Sequence, residues 1–122
     1  MIGEEVLFTP IREIGAHLRA RRVSAVDLAE WSMRRLETIG PRLGAVVTVT
    51  RQRALAQAHR AHQELLAGRD RGPLHGIPYG AKDLLATRGI PTTWGALPLR
   101  DQVFDHDATT IARLEEAGAV LV

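Results

Sequence analysis

Residues 72–96, GPLHGIPYGAKDLLATRGIPTTWGA, decide how the rest of this chain is read. The stretch carries Lys82, the only lysine present; the other fifteen of the basic side chains are arginines. A guanidinium keeps its proton near neutral pH, whereas a desolvated ammonium gives it up. A general base at this place therefore has to be lysine. Composition offers a blander account, because codon bias toward arginine in a GC-rich genome also leaves few lysines.

The segment from Ile77 to about Leu84 reads as a buried strand, with Pro78 tolerable near its start. Side chains alternate along a strand, so Lys82 shares a face with Gly80 and Pro78 while Asp83 points the other way. Gly80 leaves open space beside the lysine stem. A lysine buried there without a partner is held neutral by desolvation and can accept a proton. The competing reading is a surface lysine whose stem lies on apolar ground and whose head stays in water.

Working outward, Thr9 can cap a first helix that has Pro10 at its first position. Ser24 and Asp27 have the spacing of a capping box, which predicts a second helix from Ala25. Val26, Ala29, Met33 and Leu36 fall on one face of it, and Gly40-Pro41 is its expected stop. Ala45 to Val49, short and β-branched, predicts a buried strand. A third helix is expected over Arg51 to Ala67, with Ala54, Leu55, Ala58, Ala61 and Leu65 inward and Gly68 as its end. Downstream, Thr87 to His106 is rich in turn residues and predicts an ordered loop. Asp107 is the expected cap of a last helix with Ile111 and Leu114 inward and Gly118 as its stop. Ala119 to Val122 opens a final strand. The order α-α-β-α-β-α-β predicts an α/β fold with parallel strands and right-handed crossovers. Three strands make a small sheet, so residues 1–122 read as one incomplete α/β domain with an open edge and a tendency to self-associate.

Composition narrows the partners. Net charge is +2, with acids scattered among the arginines. The clusters Arg19, Arg21, Arg22 and Arg34, Arg35 are too short for a nucleic-acid footprint. No cysteine is present, which excludes disulfides and thiolate metal sites. No run of about 18 apolar residues exists to span a membrane, and the acidic start is unlike a secretory leader. The cytoplasm is the expected compartment.

Among other candidate groups, Asp83 is read as anchoring the following turn through backbone N–H bonds rather than as a metal ligand. Thr92 and Thr93 are turn and strand-end residues with a possible part in shaping a pocket. His59 and His62 are three apart on a helix, a spacing that can hold a metal, but no third ligand is evident, and no metal is expected. His75 and His106 lie in loops without a nameable partner. Trp31 and Trp94 read as packing anchors. The two serines, Ser24 and Ser32, are a helix cap and a mid-helix residue, so no nucleophile accompanies Lys82.

Gly72 to Asp83 resembles the lysine-bearing motif GPLxGIPxxVKD of the amidase signature family. The likeness runs on through Gly89-Ile90-Pro91-Thr92-Thr93 and Gly95. It resumes at Asp107-Ala108-Thr109, Arg113-Leu114 and Ala117-Gly118-Ala119-Val120, and extends weakly into the early helices. Ala81 stands where the family usually has Val. The resemblance implies an α/β enzyme with a mixed sheet flanked by helices. It also implies a serine nucleophile, a second serine in a cis peptide bond, and Lys82 as the base that takes a proton through that second serine. The glycine- and serine-rich segment that supplies both serines is expected beyond Val122, so this chain alone is expected to be inactive. The implied function is hydrolysis of a small-molecule carboxylic amide, with no cofactor, with the remainder of the amidase chain as partner, and with a homo-oligomer possible. Two alternatives stay open. One is the A subunit of a glutamyl-tRNA amidotransferase, which often has Asn where Leu84 stands here. The other is a non-catalytic α/β interaction module, for which Lys82 is exposed and replaceable by Arg.

Overall fold

The computed structural model describes residues 2–122. The chain opens with a 3₁₀ turn, Glu4–Phe8, followed by α1, Ile11–Arg19. The cap of α1 is displaced by one residue from expectation. Pro10 is the N-cap, and the Thr9 hydroxyl donates to the Val6 carbonyl at 2.7 Å instead. Helix α2, Ala25–Thr38, begins where the capping box predicts: the Ser24 hydroxyl accepts from Asp27 N–H, and the Asp27 carboxylate accepts from Ser24 N–H, both at 3.0 Å. Its buried face is Ala25, Leu28, Ala29 and Met33. Val26 and Leu36, expected inside, are only partly buried. Gly40-Pro41 does not end the helical path. Proline fits the first turn of a helix, and a short α3, Gly40–Leu43, follows before Gly44 reverses the chain at φ +61°.

Ala45 to Val49 is not a strand; Ala45, Val47 and Thr48 are exposed in irregular backbone. β-branched residues favour a strand only where a neighbour completes the ladder, and none does here. Helix α4, Arg51–Leu66, buries Ala54, Gln57, Ala58 and Ala61, and Gly68 at φ +77° follows its end.

The sheet has two strands rather than three among the described residues. Strand β1, Pro78–Tyr79, pairs in parallel with β2, Val120–Leu121, in the register Pro78 to Val120 and Tyr79 to Leu121. The crossover between them is the loop from Gly80 to Ala108 plus α5, Thr109–Glu116. The expected strand to Leu84 therefore stops after Tyr79. Its backbone turns at once, with Leu85 N–H donating to Lys82 O at 3.0 Å. The outer side of β2 is not left open. Leu121 N–H donates to Gln57 Oε1 at 2.9 Å, and Thr50 Oγ donates to Leu121 O at 2.8 Å. Side chains of α4 and its entrance thus take the place of a strand neighbour.

The loop over 87–106 is ordered, as expected. Thr92 N–H donates to Gln102 O at 2.8 Å beside an antiparallel bridge between Pro91 and Val103. Asp107 does not cap α5, whose N-cap is Ala108. The Asp107 carboxylate instead takes the Arg53 guanidinium at 3.0 and 3.1 Å and Arg88 N–H at 2.8 Å. That guanidinium holds the Asp107 carboxyl below the usual aspartate range. Leu28, Met33, Ile111 and Val120 form the fully buried centre.

His75, expected to be a loop histidine without partners, is fully buried. Its Nδ1 accepts Arg71 N–H at 3.0 Å, which puts the ring proton on Nε2. Nε2 lies 3.0 Å from Glu64 Oε2 without the alignment of a hydrogen bond. Gly118, at φ +80°, packs so closely on the ring that it has no room for a Cβ. Burial pushes the imidazole below its ordinary value of 6.5, despite the pull of Glu64 and Asp70 and with Arg71 adding to the push. The unfolded chain therefore binds one more proton than the folded one in weak acid. Stability is full above about 6.5 and falls as pH drops below it. Glu64 and Asp70, both held low by arginine, lose their contributions only below 4.5 and 3.8. Urea unfolding between about pH 7.5 and 5.5 is expected to show a loss of at most about 1.4 kcal/mol per pH unit. His75→Gln is expected to flatten it; an unchanged slope in that variant assigns the effect elsewhere.

Candidate active site

Parallel strands bring their carboxyl ends to one edge of a sheet, and the loops leaving that edge build the binding crevice. Here Gly80 leaves β1 and Val122 leaves β2 on the same side. A cavity of about 360 Å³ lies there. One wall is the segment after β1: Gly80, Ala81, Lys82, Asp83, Leu85 and Thr87. The opposite wall is Ala45 to Thr48 with Thr50, and Ile90 to Thr92 closes a third side.

Lys82 lines this cavity but is exposed, which corrects the expectation of a buried strand lysine. The strand ends at Tyr79 instead of near Leu84, so Lys82 sits in a turn at the cavity wall. Its ammonium has neither a hydrogen-bond nor an ion-pair partner among the described residues. Gly80 does leave open space, as expected; a side chain there would meet nothing within 4 Å.

Asp83 is bound from the far end of the loop. Its Oδ1 accepts Thr93 N–H at 2.8 Å, and its Oδ2 accepts the Thr93 hydroxyl. Thr93 Oγ accepts Gly95 N–H at 3.2 Å in turn. The Asp83 carbonyl accepts Trp94 N–H at 3.0 Å, which holds Trp94 in the left-handed region at φ +55°. A bulky residue adopts that conformation only when its surroundings impose it. Asp83 therefore anchors a turn, as expected, but one ten residues away. Thr92 and Thr93 are both buried. Thr92 faces the cavity and Thr93 faces Asp83, so only one of the pair lines the space beside Lys82.

The structure does not bring the histidines to this site. His59 and His62 stay on the surface side of α4, His106 is exposed against Asp105, and no metal-binding group of three occurs among the described residues. The wall from Ala45 to Thr50 is not legible in the sequence, where the β-branched run Ala45 to Val49 reads as a buried strand. The signal was Gly44 followed by a short run with no second strand nearby to pair with.

Comparison with known proteins identifies the group to which these features belong. The Amidase family matches residues 27–122. The chain belongs to the amidase family. The A subunit of glutamyl-tRNA(Gln) amidotransferase from Synechococcus elongatus is 44% identical over 112 residues, which is 92% of this chain and 23% of that protein. Its counterpart from Carboxydothermus hydrogenoformans is 37% identical over 116 residues, 95% of this chain and 24% of that one. The native peptide amidase of Stenotrophomonas maltophilia superimposes with a TM-score of 0.90 at 31% identity, covering 98% of this chain and 25% of that one. The chain thus spans about a quarter of the length of its amidase relatives. The helix-rich α/β arrangement with a small parallel sheet is an amidase fold.

The Asp83–Thr93 contact can be tested directly. Thr93→Val keeps the backbone donor but removes the hydroxyl, leaving a part-buried carboxylate oxygen unsatisfied. A loss of about 1–3 kcal/mol in urea unfolding is expected, with Thr93→Ser recovering most of it. A loss in Thr93→Ser with none in Thr93→Val would mean that packing of the methyl, not the hydrogen bond, matters.

Proposed function

We propose that the full-length protein hydrolyses carboxylic amides with Lys82 as the general base, and that residues 1–122 form one incomplete α/β domain of it. The observation that carries this reading is an ammonium without an acidic partner on the wall of a cavity at the carboxyl edge of the sheet. In the proposed reaction a serine attacks the amide carbonyl, and its proton passes through a bridging serine to Lys82. Return of that proton to the leaving nitrogen releases ammonia or an amine. Water then cleaves the acyl-serine ester by the same relay, and backbone N–H groups hold the oxyanion. Neither of this chain's two serines lines the cavity. Covering the cavity removes water from Lys82, the condition under which a lysine gives up its proton. Asp83 and Thr93 are positioning residues, whose contact holds the lysine-bearing turn against the loop, and Thr92 shapes the cavity beside Lys82. No helix among the described residues is long and apolar enough to cross a membrane. We place the protein in the cytoplasm, and self-association fits the exposed Leu43, Val47 and Leu97.

A second reading is supported by the glutamyl-tRNA(Gln) amidotransferase A subunits, which are 37–44% identical to this chain. In that case the amide ammonia is passed to a tRNA-bound substrate rather than released. Co-purification with partner proteins, and stimulation by aminoacyl-tRNA, distinguish it from a free-standing hydrolase. A non-catalytic module is the third reading, and the exposure of Lys82 is compatible with it.

Lys82→Arg keeps the charge and cannot act as a base. In the full-length protein it is expected to lower amide hydrolysis by about 10²–10⁴-fold, with the far-ultraviolet dichroism unchanged. Retained turnover would remove Lys82 from the mechanism.

A further inference from the structure

A second cavity, of about 450 Å³, adjoins the first. Thr48, Thr50, Ile90 and Pro91 line both, so the two spaces meet along one ridge. The ionisable side chains lining the second cavity are Arg51, Arg53 and Arg88, with no acid among them. Two of these guanidiniums are already neutralised from outside. Arg51 pairs with Glu30 and Glu37, and Arg53 pairs with Asp107 and Glu115. Arg88 is different: it is exposed and has no ion pair among the described residues. Asp107 accepts only its backbone N–H, and the Asp107 carboxylate is committed to Arg53. In the first cavity the one acid, Asp83, is taken up by Thr93. The spare charge across both spaces is therefore positive.

We infer that the Lys82 cavity continues past Ile90 and Pro91 into an anion subsite, with Arg88 as the residue that selects amide substrates bearing a remote carboxylate. The inference rests on the amide-hydrolysis reading and gives it a substrate class. Ile90 and Pro91 give the ridge an apolar side that suits an aliphatic spacer between amide and acid, across from Thr48 and Thr50. A guanidinium fork matches a carboxylate in two parallel hydrogen bonds. One free guanidinium in a small cavity fits a single acid group better than a nucleic-acid backbone, which needs several phosphate contacts.

The test uses the full-length protein and two amides of equal chain length, butyramide and the monoamide of succinate. The wild type is expected to favour the acid-bearing amide in kcat/KM by about tenfold or more, mostly through KM. Arg88→Gln is expected to bring that ratio near one, while Arg12→Gln on the exposed face of α1 leaves the ratio as in the wild type. A wild type without preference, or a preference that survives Arg88→Gln, overturns the inference while leaving amide hydrolysis intact. If neither amide is turned over, the hydrolysis reading fails, and succinate binding by calorimetry decides the subsite. Binding lost in Arg88→Gln supports it, and absent or unchanged binding overturns it. Tight, salt-sensitive binding of RNA that depends on Arg88, with no effect of Arg88→Gln on the amide ratio, also overturns it.

Discussion

Two hydrogen bonds, Val120 N–H to Ile77 O and Val122 N–H to Tyr79 O, hold β2 parallel to β1, and the rest of the arrangement follows from that pairing. A parallel pair cannot be joined by a tight turn, so the chain between Tyr79 and Val120 has to cross over. That crossover is the long loop and α5. The same pairing sends the chain out of both strands on one side, which is where the cavity forms. The strands are only two residues each, too short to stand alone. Helix α4 supports them by offering Gln57 and Thr50 to the outer side of β2, replacing the ladder that a third strand would have supplied.

Charge pairs then tie the crossover down. Arg53 reaches from α4 to Asp107 and Glu115, and Asp107 reaches back to the backbone of Arg88. Asp83 fastens the near end of the loop to Thr93. Lys82, next to the Asp83 tie, is left without a partner on a wall whose one acid is taken up by Thr93. Among the cations that line the two adjoining cavities, Arg51 and Arg53 are neutralised, and Lys82 and Arg88 are left without an ion pair. That division depends on packing, because the same arginine-rich composition would otherwise show no preferred positions.

His75 shows another consequence of close packing. The approach of Gly118 and full burial hold the ring's pKa down against two nearby carboxylates. Helix α5 is thereby coupled to the turn that leads into β1.

The sequence by itself determined the four longer helices, the parallel sense of the strands, the family motif and the identity of the one possible lysine base. These are local or pairwise properties. The capping box at Ser24 and Asp27, the apolar period of α4 and the glycines at left-handed turns act within a few residues of themselves. Tertiary structure alone decided that Ala45 to Val49 is a cavity wall, that the strand ends at Tyr79, and that Lys82 faces open space rather than the core. Strand length depends on a neighbour to complete the ladder, and that neighbour is distant in the chain. Asp83 with Thr93, Asp107 with Arg53 and His75 with Glu64 were likewise out of reach, because a side chain's partner across a fold is set by where the backbone returns, not by spacing.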